Sequence, residues 1–150
     1  MTVRPGERLP AGLIDLVARI PDADLTHCLR LLAITAVDVT DLGSTPVVRS
    51  ALTDWRLHGR VSDDTRTALD TLLRRIESDG FEYQRRGAID DWRTAYLRVR
   101  TLECLRICFD NRIAPRTAVA EAAAEAAIAL RSHIAVTAIL SDFVARSLPV

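Results

Sequence analysis

Apolar residues recur along most of the chain at intervals of three and four positions, which is the period of an α-helix. Leu25, Leu29 and Leu32 show this spacing in one segment, and Leu69 and Leu72 show it in another. No segment alternates convincingly between apolar and polar residues as a half-buried strand does. The pattern predicts an all-α protein.

Prolines, glycines and capping residues divide this pattern into separate helices. Thr45 and Pro46 are typical of a helix start, and Gly59 is typical of a helix end. Ser62 predicts the start of the next helix and Gly80 predicts its end. The helices predicted in this part of the chain cover residues 11–19, about 25–42, 46–58 and 62–79.

The segment Phe81 to Gly87 reads FEYQRRG and is predicted to be the longest irregular connector. The longest continuous helical pattern follows, from about 89 to 110. Its apolar residues cover more than half of the helix circumference, which is typical of a helix at the centre of a bundle. We therefore expect this long helix to be the central one.

An alanine-rich segment follows Pro115 and reads TAVAEAAAEAAIAL from Thr117 to Leu130. Alanine has the highest helix propensity, and its small side chain lets a neighbouring helix approach closely. We expect a helix over about 116–131, packed against the central helix. A last amphipathic pattern runs from Ile134 to Leu148, and the sequence leaves open whether it continues the alanine-rich helix after a kink.

These elements predict one all-α domain over residues 1–150, a bundle of six or seven helices. A chain of 150 residues is long enough to bury a single hydrophobic core. The apolar positions assign the following residues to that core: Leu29, Leu32, Leu52, Trp55, Leu69, Leu72, Trp92, Val99, Leu102, Phe109 and Leu140.

The amino-acid composition and net charge indicate which classes of binding partner to expect. Apolar residues make up 49% of the chain and charged residues 27%, which is typical of a globular domain. The 20 basic residues, all arginine, equal the 20 acidic residues in number. Nucleic-acid binders usually carry a clear cationic excess, so no nucleic acid is expected as a partner. The absence of a long uncharged apolar segment predicts no membrane partner and a cytoplasmic location.

A metal site is the first chemistry that the sequence raises. Cys104 and Cys108 are one helical turn apart, and Cys28 and His133 could complete a tetrahedral set if all four met. The CxxC spacing of zinc knuckles is absent, and paired cysteines in an apolar helix are typical of a core. We therefore expect no metal. Whether the cysteines meet the histidines at positions 27, 58 and 133 is left open.

The acidic residues and the possible nucleophiles of the sequence do not form a recognisable catalytic motif. Glu121 and Glu125 could bridge two metal ions. Helical bundles that bind metals in this way also carry a Glu-x-x-His motif on partner helices, whereas the residue three positions after Glu103 is Arg106. A solvated face or pairing with arginines accounts for the two glutamates. No nucleophile motif or phosphate-binding loop is present. We expect no catalytic residues and no cofactor, and the sequence does not favour an enzyme.

A candidate contact surface lies at and just after FEYQRRG. Aromatic residues and arginine are enriched at interface hot spots. The sequence predicts partner binding by Phe81, Tyr83, Arg85, Arg86 and Arg93. The alternative is that the two aromatic residues fold inward as a lid over helix ends. The first reading makes the chain a protein–protein interaction module.

Residues 92–130 read WRTAYLRVRTLECLRICFDNRIAPRTAVAEAAAEAAIAL. This segment resembles the C-terminal half of small helical bacterial proteins, some of them immunity partners of polymorphic toxins. In those proteins an aromatic-rich long helix is followed by a short turn and an alanine–glutamate helix. The resemblance implies a bacterial protein that occludes or regulates a partner protein. A small-ligand-binding helical regulator and a cryptic helical enzyme remain as alternatives.

Overall fold

The computed structural model describes residues 10–146, and over this range the chain forms seven α-helices. A short 3-10 turn, Asp22–Asp24, precedes the second of them. The helices are α1 (Ala11–Arg19), α2 (Leu25–Val39), α3 (Pro46–His58), α4 (Asp63–Arg85), α5 (Ile89–Cys108), α6 (Pro115–Ala129) and α7 (His133–Arg146). The described residues contain no strand, and the all-α prediction is confirmed. No helix within residues 10–146 is long and apolar enough to cross a membrane.

Most predicted helix boundaries hold because their capping chemistry is local. The Ser62 hydroxyl accepts a hydrogen bond from the backbone N–H of Thr65 at 3.2 Å, as an N-cap does. Pro46 is the first residue of α3, and Gly59 ends that helix with φ at 72°. A positive φ of this kind favours glycine, which lacks a Cβ atom.

The predicted helix end at Gly80 is wrong. Helix α4 continues through this residue to Arg85, and the glycine with positive φ beyond its end is Gly87. Gly80 instead faces α5, where a Cβ atom would lie 3.4 Å from the Cβ of Ala95. Gly80 is thus a buried contact residue between α4 and α5, where a Cβ atom would make an ordinary van der Waals contact. Because α4 continues to Arg85, most of the predicted connector Phe81–Gly87 is helical.

Helices α5 and α6 form the centre of the bundle. Helix α5 packs mainly on α4 and α6, while α6 also packs on α1, α2 and α7. Every residue from Ala122 to Ala127 is buried, since α6 is covered on several sides. The small alanine side chains allow this, as the sequence predicted. The α6 and α7 helices are separate, because Arg131 between them has φ at 56° and interrupts the helix.

The predicted core is largely correct. Its members are buried except for Leu52 and Trp92, which are only half-buried. Trp55 lies inside the protein with its ring edge-on to Phe109, at 5.1 Å between ring centres. Leu52 and Trp92 were assigned to the core because they continue apolar stripes. Each of these two residues lines an open cleft between helices. The apolar stripe of a single helix does not predict where such a cleft lies.

Candidate functional site

A group of large aromatic side chains is exposed where the end of α4 runs beside α5. Phe81 is 66% exposed although it belongs to a regular helix. Across the cleft between the two helices, the rings of Trp92 and Tyr96 stack with 5.8 Å between their centres. The cleft has a volume of about 280 Å³, and all three side chains line it. We call Phe81, Trp92 and Tyr96 the aromatic surface.

Helical geometry separates the residues that the sequence grouped as one contact surface. Successive residues of an α-helix are about 100° apart, so Phe81 and Arg85 face one side of α4 while Tyr83 and Arg86 face another. The Arg86 guanidinium lies 5.6 Å from the centre of the Tyr83 ring, and Tyr83 is half-buried. Arg85 is paired with Glu82 at 2.7 Å.

Arg93 is exposed on α5, next in sequence to Trp92. The contact surface predicted from the sequence thus shares only Phe81 with the aromatic surface, and Trp92, which the sequence predicts to lie in the core, belongs to the aromatic surface as well. The missing signal was the pairing of α4 with α5, which follows from the continuation of α4 past position 80. The inward-folded alternative does not describe Phe81, whose ring is largely exposed.

An ion pair anchors one edge of the aromatic surface to the centre of the bundle. The Arg100 guanidinium lies 5.6 Å from the centre of the Tyr96 ring. The same guanidinium donates to the Glu125 carboxylate of α6 at 3.3 Å. The side chain of Glu125 is only 7% exposed, so its charge is almost fully removed from water. The sequence allows either a solvated face or pairing with arginine for Glu121 and Glu125. For Glu125, the structure shows pairing with arginine.

The three cysteines converge in the core as free thiols, and all of them are buried. The Cys104 thiol donates to the carbonyl of Ala122 at 3.6 Å, and the Cys108 thiol donates to the carbonyl of Leu29 at 3.9 Å. Among residues 10–146, no group of three or more His, Cys, Asp or Glu side chains is arranged to hold a metal ion.

The surroundings of Cys28 and Cys108 make these two thiols poor nucleophiles. Burial, with a smaller contribution from the Asp24 carboxylate, raises the pKa of Cys28 to about 12. A hydrogen bond with Cys104, followed by burial, raises the pKa of Cys108 well above its usual value. A raised thiol pKa means less thiolate at neutral pH, and the thiolate is the reactive form.

We expect iodoacetamide to leave Cys28 unmodified in the folded protein at about pH 8. A pKa raised by about three units lowers the thiolate fraction roughly a thousandfold, and burial also blocks the reagent. Mass spectrometry after timed reaction measures the modification. Protein unfolded in guanidinium chloride is the control, and there all three cysteines should react. Rapid alkylation of Cys28 in the folded protein would contradict the expectation.

The histidines do not join the cysteines. His27 is on α2, His58 ends α3 and His133 begins α7. All three are exposed, and the His27 ring meets Phe143 edge-on at 5.6 Å. Comparisons with protein-family models, with curated proteins and with solved structures find no match to this chain.

Proposed function

We propose that this protein is a protein–protein interaction module that contacts its partner through the aromatic surface. The observation that carries the proposal is the exposure of Phe81 beside the stacked rings of Trp92 and Tyr96. Exposed apolar side chains that occur singly need no explanation, whereas a contiguous apolar patch marks an interaction site. Tryptophan and tyrosine are also among the residues that dominate binding energy at interfaces.

Charged side chains near this patch support the same function. Arg85 and Arg93 are exposed on the two helices that form the cleft. An apolar centre with arginine and other polar residues around it is the usual anatomy of a protein interface. A partner surface with an apolar projection and nearby carboxylates would complement it. The proposal includes the sequence-based expectation that binding occludes the partner, as an immunity protein does.

The test compares Phe81→Ala with Tyr83→Ala, because the two positions lie on different sides of the same helix. The partner is first isolated by affinity purification from the native organism, and its affinity is then measured by calorimetry. We expect Phe81→Ala to raise Kd about 30-fold, the size of a hot-spot loss of about 2 kcal/mol. Tyr83→Ala should change Kd by less than about threefold.

Thermal unfolding of both variants separates binding from folding. Phe81 is mostly exposed, so its replacement should leave the melting temperature almost unchanged. The proposal fails if no stoichiometric protein partner is recovered. It also fails if the recovered partner binds Phe81→Ala as tightly as the unmodified protein.

Binding of a small ligand is a second candidate function, because a separate groove lies between α2 and α3. This groove has a volume of about 600 Å³, which is within the range of small-molecule sites. The residues that line this groove do not belong to the aromatic surface. Ligand binding and partner binding can therefore be tested with separate variants.

A further inference from the structure

A groove lies between the consecutive helices α2 and α3. Helix α2 packs on α5 and α6, and α3 packs on α4, while α2 and α3 make little contact with each other. The residues that line the groove recur at helical spacing on one face of each helix. On α2 they include His27, Leu31 and Ile34, and on α3 they include Leu52.

The inner part of the groove is apolar. Leu31 and Ile34 remain partly exposed there, at 36% and 46%, although they are large aliphatic residues. Half-buried Leu52 lines it from α3, and the largely buried ring of Trp55 is also part of its lining. Such a surface gains free energy when an apolar group displaces water from it.

The charges along the groove all have one sign. Arg30, Arg49 and Arg56 line it, and none of the described residues that line it is acidic. Asp24 and Asp54 are close in sequence but do not belong to the lining. In a chain with equal numbers of acidic and basic residues, this segregation favours an anionic ligand.

Arg30 is placed to receive that anion. Its guanidinium lies 5.8 Å from the centre of the Trp55 ring. Its Nε atom is buried and has no hydrogen-bond partner within residues 10–145. An anion in the groove would pair with the charged guanidinium group, because charge-assisted hydrogen bonds are stronger than neutral ones. Arginine presents its N–H groups as a planar fork that matches a carboxylate.

We propose that this groove binds a small amphiphile with one carboxylate and an apolar chain of about eight carbons. The carboxylate pairs with Arg30, and the chain covers Leu31, Ile34 and Leu52. At a rise of about 1.5 Å per residue, the groove lining from Ala23 to Ile34 extends over about 16 Å, so a chain of about eight carbons fits within it.

Three probes of equal chain length test the proposal by isothermal titration calorimetry on the full chain. They are octanoate, 1-octanol and octylammonium. Octanoate should bind with a submillimolar Kd. Octanol should bind at least about tenfold more weakly because it lacks the charge-assisted hydrogen bonds. Octylammonium should not bind, since three arginines would repel it.

Variants then locate the site. Arg30→Gln should weaken octanoate binding at least about tenfold while leaving octanol binding unchanged. Arg74→Gln removes an equal charge from an exposed position on α4 and should change neither affinity. Thr53→Phe, at an exposed position that lines the groove, should block both ligands and serves as the second variant if Arg30→Gln unfolds.

Three results would overturn the proposal. They are failure of octanoate to bind the unmodified protein, octanol binding as tightly as octanoate, and unchanged octanoate affinity in a folded Arg30→Gln or Thr53→Phe variant. Equal affinity for octanoate and octanol would show a purely apolar site, in which Arg30 has no role in recognition.

Discussion

Replacing Arg100 by methionine should lower the free energy of unfolding by about 3 kcal/mol. The side chain of Glu125, the partner of Arg100 at 3.3 Å, is almost completely buried on the central helix α6. Without the guanidinium, this carboxylate stays out of water but loses the Arg100 ion pair, so that pair no longer offsets its lost hydration. Urea unfolding at neutral pH, followed by circular dichroism, measures the change.

An exposed ion pair provides the matched control. Arg106 pairs with Asp70 at 3.8 Å on the protein surface, where its side chain is 62% exposed. Arg106→Met should change the unfolding free energy little, because water screens such pairs. The double variant Arg100→Met with Glu125→Leu should recover most of the lost stability, since the buried carboxylate that Arg100 compensates is then removed as well. An Arg100→Met variant as stable as Arg106→Met would contradict this account.

Replacing Ala126 by leucine should also destabilise the fold, by about 3 kcal/mol. Ala126 is completely buried on α6, which packs against neighbouring helices on several sides. Leucine adds three carbon atoms where the structure leaves no exposed side, so the helices must separate or the side chain must leave its preferred rotamer. Because leucine is a good helix former, the loss reports packing and not helix propensity.

The control is the same replacement on an exposed helix face. Ala68 lies on the solvent side of α4, and Ala68→Leu should change stability by less than about 0.5 kcal/mol. The two melting curves, recorded in the same buffer, give the comparison. If Ala126→Leu melts together with Ala68→Leu, close packing around α6 is not what stabilises the bundle.

Local chemistry explains why most helix boundaries could be predicted. The Ser62 cap, the first-turn Pro46 and the terminal Gly59 act within a few residues of the chain, so the sequence displays them directly. Gly80 shows the limit of such reasoning. Glycine serves both helix ends and close helix contacts, and the choice between them depends on Ala95, which lies on another helix.

The candidate sites were harder to predict because they arise between helices. Trp92 belongs to the apolar side of α5 in sequence, and its partial exposure depends on how α4 lies beside it. Similarly, the apolar stripes of α2 and α3 do not predict that a groove lies between these two helices. Nothing in the sequence distinguishes Arg30 from the other arginines, because its position in the groove and beside Trp55 depends on how α2 and α3 are placed.

The burial of Gly80 between α4 and α5 bears on the kinetics of the proposed partner binding. Phe81 follows Gly80, which is buried against Ala95 of α5, so the backbone that presents the aromatic ring is already packed before the proposed partner binds. A preorganised surface loses little conformational entropy on association and needs no rearrangement to dock. Association can then proceed at the ordinary rate of rigid-body docking. Differences in affinity among variants of this surface should accordingly appear as differences in the lifetime of the complex.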